Sequence, residues 1–241
     1  MFDILDWVVV PGGPGLSVKY LESGFADSFS RYRLYFYNSL GSPGTEIDHI
    51  PTIMELVNQL FDVVELNRLR KFGLITHSFG NYLAMRALER AGNNISAIIM
   101  ISPMPFVFSH WKNALLQIEK NIPEMVLKRI QMLACDQTKG IEVFELIFPY
   151  YTSRFIENVP RIPFNLEVCD KISAQVDEYN DVAFLSSFNI PWVCIVGDKD
   201  PFFVERDLLA DRTIIIPDVG HYPFFEDPIA FTKAISDIEG K

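Results

Sequence analysis

The fold is decided by residues 74–81, Leu-Ile-Thr-His-Ser-Phe-Gly-Asn, where an apolar run ends abruptly at Ser78. The apolar residues at 72–75 predict a buried strand, and the spacing of the apolar residues after Gly80 predicts a helix. Ser78 would then lie at the apex of a sharp strand–turn–helix, a strained position that exposes its hydroxyl. A serine that merely caps the helix is the alternative, and this stretch alone does not decide between the two.

Composition limits the class of protein. The chain has 241 residues, 49% hydrophobic and 22% charged, which suits one large α/β domain with a sizeable core. A net charge of −10 argues against nucleic acid and membrane as partners, without indicating an oligomeric state. No apolar run approaches the ~20 residues that span a bilayer. Residues 1–7 carry no basic side chain, so we expect no signal peptide there.

The three cysteines bear on compartment and metal binding. Cys135, Cys169 and Cys194 are widely spaced and odd in number, so they form neither a disulfide framework nor a metal-ligand pattern. We therefore expect a reducing, cytoplasmic environment and no metal held by the cysteines.

Strand-like and helix-like segments alternate along most of the chain. Six segments are typical of strands, at residues 7–10, 32–37, 72–75, 95–102, 192–196 and 213–216, and the first has the pattern of a strand buried on both faces. Helical spacing is found between these segments, at residues 17–29, 79–91 and 230–238. A further helix is predicted before the third strand, with Asp48 as a possible N-cap, and another after the fifth strand, ending at about residue 209.

Between residues 104 and 188 this alternation breaks. Helical patterns occur at 111–118, 125–133 and 141–148, without a convincing strand. The whole order predicts an α/β-hydrolase-like fold: a mostly parallel sheet of six to seven strands, helices on both faces, and a helical insert after the fourth strand. We call residues 104–188 the cap, and residues 1–103 and 189–241 the core.

Four turns follow directly on predicted strands and therefore meet at one edge of the sheet. They hold the glycine-proline loop at 11–15, Ser78, Asp200 and His221. A serine is a poor nucleophile unless a base lies within hydrogen-bond reach and an acceptor orients that base. The chain order Ser, Asp, His is the order expected of an α/β hydrolase.

The base is predicted by elimination. His221 follows a late strand through a glycine turn, whereas His49 precedes a helix and His110 lies in the cap. His77 adjoins Ser78, and a sharp turn should point successive side chains apart.

Two residues compete as the acid. Asp198 and Asp200 lie in one turn, and Asp218 adjoins the histidine loop. We favour Asp200, because two residues between it and Gly197 carry its side chain beyond the end of the strand.

Attack on a carbonyl also requires donors for an oxyanion. The amide of Phe79, directly after the serine, can supply one. Gly12 and Gly13 are the nearest donors in the glycine loop, since proline has no N–H, and we favour Gly13 because it lies deeper in the loop.

These segments resemble α/β-hydrolase-fold proteins of the proline iminopeptidase type. Residues 12–17 are similar to the family's H-G-G-P-G loop, residues 32–42 to its Y-D-Q-R-G-x-G-x-S strand and turn, and 77–80, 197–200 and 220–221 to its elbow, acid and base. In that family the second loop glycine and the residue after the serine form the oxyanion hole, which implies Gly13 and Phe79. The chain departs from the family at Pro11, Thr76 and Asn38, where histidine, glycine and aspartate are usual.

The resemblance and the site together predict a serine hydrolase that cleaves an ester, thioester or amide of a small-molecule substrate through an acyl-enzyme. This serine-hydrolase chemistry would need no cofactor. Some cap aromatics would contact the substrate while others fill the core; together with Gly12, the predicted contacts are Phe106, Trp111, Phe148 and Tyr151. The departures motivate the alternative of a non-catalytic binding protein, and acyl transfer to an acceptor other than water is a related possibility.

An aminopeptidase would in addition bind a substrate ammonium through acidic side chains beneath the cap. Glu142, Glu145 and Glu157 are available for this role. A solvent-exposed helix face is the more ordinary explanation for each of them.

Overall fold

The computed structural model describes residues 4–25, 27–91, 94–134, 136–157, 160–187, 189–205 and 210–239. Within these ranges one six-stranded sheet is formed by β1 Asp6–Val10, β2 Arg33–Phe36, β3 Phe72–Ser78, β4 Ile95–Pro103, β5 Trp192–Gly197 and β6 Thr213–Ile216. The strand order is β2-β1-β3-β4-β5-β6, and every neighbouring pair is parallel. The predicted parallel α/β fold is confirmed.

Ten α-helices lie in the described ranges: α1 Lys19–Phe25, α2 Ile53–Leu66, α3 Phe79–Ala91, α4 Phe108–Asn121, α5 Glu124–Ala134, α6 Gly140–Ile147, α7 Leu166–Ser173, α8 Val182–Ser186, α9 Pro223–Glu226 and α10 Pro228–Glu239. Five of them, α4 to α8, lie between β4 and β5. None of the helices in the described ranges combines the length and apolar character that crossing a membrane requires.

The sheet is covered on both faces, because alternate strand residues point in opposite directions. On one face Val8 and Leu74 belong to the same buried cluster as Leu56 of α2. On the other face Val9 joins a cluster that contains Phe231 of α10. Ligands of parallel sheets bind at the loops beyond the carboxyl ends of the strands, so the site is sought there.

Helix ends differ from the sequence prediction at two places. The first helix begins at Lys19 and ends at Phe25 rather than covering 17–29. At its start, the backbone N–H of Val18 donates to the Asn38 side chain at 2.8 Å. The second helix is capped by Thr52 through a capping box with Glu55, so Asp48 is not its N-cap.

Two further predictions fall wholly or partly on undescribed residues. Residues 201–205 form a turn and irregular backbone, and the rest of the helix predicted up to 209 lies outside the described residues. Cys135 lies outside them too, whereas Cys169 and Cys194 are free thiols.

Candidate active site

Ser78 occupies the strained turn that the sequence predicts. It is the last residue of β3, its φ is +52°, and α3 begins at the next residue. A positive φ is unfavourable for a residue with a side chain and marks a turn that its surroundings hold in place. Gly80 allows the close approach, because a Cβ there would come within 2.7 Å of the Pro11 carbonyl oxygen. The turn therefore presses against the glycine loop.

Asp200 and His221 meet beyond the ends of β5 and β6. The Nδ1 atom of His221 lies 3.0 Å from both carboxylate oxygens of Asp200, and both side chains are buried. The N–H of Phe202 donates to Asp200 Oδ1 at 2.9 Å, which fixes the carboxylate. Because Nδ1 faces a carboxylate, it carries the proton of a neutral ring and leaves Nε2 as an acceptor.

The other two acids of this region are placed differently. Asp198 pairs with Lys199, with 3.1 Å between Oδ2 and Nζ. Asp218 is exposed, whereas Asp200 is buried with His221. Asp200 is thus the acid that the structure brings to His221, in line with the preference drawn from the sequence.

His77 lies beside this pair, in a position that the sequence did not reveal. Its Nε2 is 3.1 Å from the backbone oxygen of His221, and its Nδ1 is 2.9 Å from the Tyr20 hydroxyl. Burial, and secondarily the neighbouring His221, hold the pKa of His77 well below its ordinary value, so its ring is neutral.

Gly12 and Gly13, the two glycines considered as oxyanion donors, have different surroundings. The N–H of Gly12 donates to the Tyr20 hydroxyl at 2.7 Å and is therefore occupied. Gly13 has a φ of +42° and lines the same cavity as Ser78 and Phe79. Phe79 is the first residue of α3, so its N–H has no acceptor within the helix. Gly13 and Phe79, the two residues of the predicted oxyanion hole, both line the cavity with Ser78.

A cavity of about 120 Å³ lies between the core and the cap. The core lines it with Gly13, Ser78, Phe79 and His221. The cap closes it with mostly apolar side chains: Trp111, Leu115, Phe144, Ile147, Phe148, Tyr151, Phe164 and Cys169. None of the described residues that line it is an aspartate or a glutamate.

The predicted substrate contacts divide into two groups. Trp111, Phe148 and Tyr151 line the cavity. Phe106 is buried in the hydrophobic core and is not among the lining residues, and neither is Gly12, whose Cα packs behind the Ser78 turn. Sequence reasoning did not assign Phe144 to the cavity, because helical spacing does not show which face of a cap helix points inward.

A buried carboxylate that the sequence analysis missed holds the His221 loop. Glu226 Oε2 accepts the N–H groups of Ser153, Arg154 and Gly220 at 2.7 to 3.1 Å, and Oε1 accepts that of Tyr222 at 3.2 Å. One acid thus joins the middle of the cap segment to the loop that bears the base. The available signal was an acidic residue closing the apolar run that follows His221.

The three departures from the family pattern lie away from the cavity lining. Asn38 supports the start of α1, where its Oδ1 accepts from the N–H of Val18 and the Ser17 hydroxyl. Thr76 is fully buried beside Val10 in the sheet, and its hydroxyl has no hydrogen-bond partner within the described chain. The carbonyl of Pro11 faces Gly80. These substitutions therefore change the support of the site rather than its surface.

The acidic residues considered for an ammonium site are on the outside of the cap. Glu142 forms ion pairs with Lys139 and Arg129, Glu145 lies 3.7 Å from Arg161, and Glu157 is exposed. Across the described ranges, no three His, Cys, Asp or Glu side chains are grouped so as to hold a metal ion.

Comparison with known families decides the assignment of the fold. A family profile described as the alpha/beta hydrolase fold matches residues 8–228. The chain belongs to this α/β-hydrolase fold family. The resemblance inferred from the glycine loop and the Ser78 turn is thereby confirmed.

Solved structures agree with this membership. An α/β hydrolase enzyme, MGS-M2, from a Medee basin deep-sea metagenome library has a TM-score of 0.69 at 14% identity, covering 100% of this chain and 91% of that one. A thermophilic esterase from Thermogutta terrifontis scores 0.67 at 18%, covering 98% and 89%. The proline iminopeptidase of Mycobacterium smegmatis scores 0.68 at 15%, covering 97% and 88%. No curated protein sequence matches significantly.

Proposed function

We propose that this α/β hydrolase is a serine hydrolase that cleaves an ester, thioester or amide of a small molecule through an acyl-enzyme. The observation that carries the proposal is the buried Asp200–His221 pair, with both carboxylate oxygens 3.0 Å from Nδ1, at a cavity that also holds Ser78 on a positive φ. The arrangement supplies a nucleophile, a base and an orienting acid with no cofactor.

Each residue has a defined task in the proposed reaction. The Ser78 hydroxyl attacks the substrate carbonyl while His221 Nε2 takes its proton, and Asp200 stabilises the resulting imidazolium. The amides of Gly13 and Phe79 donate to the oxyanion, each contributing about 3 kcal/mol to the barrier reduction. His221 then protonates the leaving group. Water, activated by the same imidazole, releases the acyl group from Ser78.

The cavity lining favours an uncharged, apolar acyl group. Aromatic and aliphatic side chains surround the space above Ser78, and no carboxylate among the described lining residues could pair with a substrate ammonium. An unpaired ammonium buried in such a cavity would be strongly disfavoured. We therefore place esters and thioesters ahead of peptides with a free amino terminus, although a proline iminopeptidase is among the similar folds.

Covalent labelling tests the nucleophile. Wild-type protein should react with a fluorophosphonate probe, and Ser78→Ala should not. Ser42→Ala is a matched control, because Ser42 is a fully buried serine outside the cavity, and it should label like the wild type. Absence of labelling in the folded wild type would contradict the proposal and favour a binding protein without catalysis.

A substrate panel tests the acyl preference. p-Nitrophenyl esters from acetate to octanoate should be hydrolysed faster than prolyl and alanyl p-nitroanilides. Faster cleavage of the anilides would contradict the argument from the uncharged lining. Release of p-nitrophenol that depends on an added alcohol or amine would point to acyl transfer instead of hydrolysis.

A further inference from the structure

We propose that Tyr20 and His77 are positioning residues. They fix the position of the glycine loop relative to the His221 loop, and Ser78 lies between these two loops. This inference rests on the proposed function and extends it to two side chains that supply no reacting atom. Tyr20 lies on α1 and is fully buried. His77 directly precedes the nucleophile, so it is anchored in the sheet by β3.

The direction of each hydrogen bond follows from its partners. The backbone oxygen of His221 can only accept, so the His77 Nε2 at 3.1 Å must donate a proton to it. The other nitrogen of the neutral ring, Nδ1, is then an acceptor and takes the Tyr20 hydroxyl proton over 2.9 Å. The Tyr20 oxygen in turn accepts the N–H of Gly12 over 2.7 Å. One continuous relay therefore runs from Gly12 to His221.

Burial keeps this relay in one protonation state. Desolvation lowers the pKa of His77 and raises that of Tyr20, which favours the neutral form of both groups. A protonated His77 would carry a proton on Nδ1 as well, and the Tyr20 hydroxyl proton would then lose its acceptor. With the neutral ring, each donor of the relay has an acceptor, and this form matches the buried surroundings.

The two ends of the relay lie next to groups whose positions matter for the proposed reaction, the glycine loop and the base His221. Gly12 is fixed at one end, and the next residue is Gly13, which lines the cavity together with Ser78. At the other end the peptide of His221 is held through its carbonyl by His77, while its N–H donates to the Tyr151 carbonyl at 2.8 Å. A displacement of about 1 Å between such groups can cost up to ~100-fold in rate.

Tyr20→Phe is the direct test, because it removes one buried hydroxyl and keeps the ring. We expect kcat for a p-nitrophenyl ester to fall by roughly 10- to 100-fold, with KM changed by less than about threefold. Tyr37→Phe is the matched control: its hydroxyl is buried, lacks a hydrogen-bond partner within the described chain, and lies outside the cavity lining. The control should keep the wild-type kcat and KM.

A spectroscopic measurement makes the test independent of turnover. In ¹⁵N-histidine-labelled wild type, His77 should show a protonated Nε2 and an unprotonated Nδ1 from pH 6 to 8, and Tyr20→Phe should shift the His77 Nδ1 resonance. A folded Tyr20→Phe with kcat within about twofold of wild type would overturn the positioning role.

Failure of the proposed function would look different. The wild type would then neither label nor hydrolyse any ester, although the His77 resonances could still show the relay. A His77 ring protonated at Nδ1 instead would overturn the relay whatever the activity.

Discussion

Replacing Glu226 by glutamine should destabilise the protein far more than removing one charge from its surface. Gln keeps a single acceptor oxygen, which can serve the three N–H groups now bonded to Oε2. Its NH₂ group then faces the N–H of Tyr222, which is left without an acceptor at a cost of about 1–3 kcal/mol.

The remaining hydrogen bonds also weaken. Three charge-assisted bonds become neutral ones of about half the strength, while a neutral amide is cheaper to bury than a carboxylate and offsets part of the loss. We expect the free energy of unfolding to fall by about 3 kcal/mol, which lowers Tm by roughly 6–12 °C for a chain of this size.

Thermal unfolding of the purified variant, followed by circular dichroism, measures this effect. Glu22→Gln provides the same change of charge at an exposed position on α1 and should leave Tm within about 2 °C of wild type. Ester hydrolysis should also drop in Glu226→Gln, because Gly220 and Tyr222 flank the base. A Tm that matches the control would refute the role given to the four N–H contacts.

Three further predictions concern other groups of the site. Unfolded His77 binds a proton below about pH 6.5, whereas folded His77 does not. The free energy of unfolding should therefore fall by up to ~1.4 kcal/mol per pH unit below that value. Urea titrations at pH 7, 6 and 5 should show that His77→Gln loses less of its free energy of unfolding over this range than the wild type does. Trp111→Leu should shift the ester preference toward longer chains, by about fourfold in kcat/KM for each methylene that enters the new space; an unchanged profile would place the acyl group elsewhere. Burial raises the pKa of the Cys169 thiol to about 12, so we expect iodoacetamide to modify Cys169 much more slowly in the folded protein at pH 8 than after unfolding, as measured by peptide mass spectrometry.

The sheet could be predicted because its signals are local. Buried parallel strands are continuous apolar runs, and the runs of the central strands β1, β3, β4 and β5 stop at a glycine, proline or small polar residue at the edge of the sheet. The ends of the helices were harder to predict than the strands. Thr52 and Glu55 carry the spacing of a capping box, a signal that was readable in the sequence. The start of the first helix is instead supported by Asn38, which is distant in sequence.

The site shows the same division between local and distant causes. The turn at Ser78 and the loop at His221 follow from their own neighbours, and so were identified. The contacts of Glu226 join residues more than 70 positions apart, and the contact between Tyr20 and His77 spans 57 positions. No periodicity or motif encodes such pairs, because they arise only when separate strands bring their loops to one edge.

The hydrogen bonds between the His221 loop and the cap restrict how a substrate can enter. Tyr151 accepts the backbone N–H of His221, and Glu226 takes the N–H groups of Ser153 and Arg154. Lifting the cap at this rim would break the support of the imidazole at the moment a molecule arrived. A cap that opens must therefore hinge at this rim and admit the substrate from a different side.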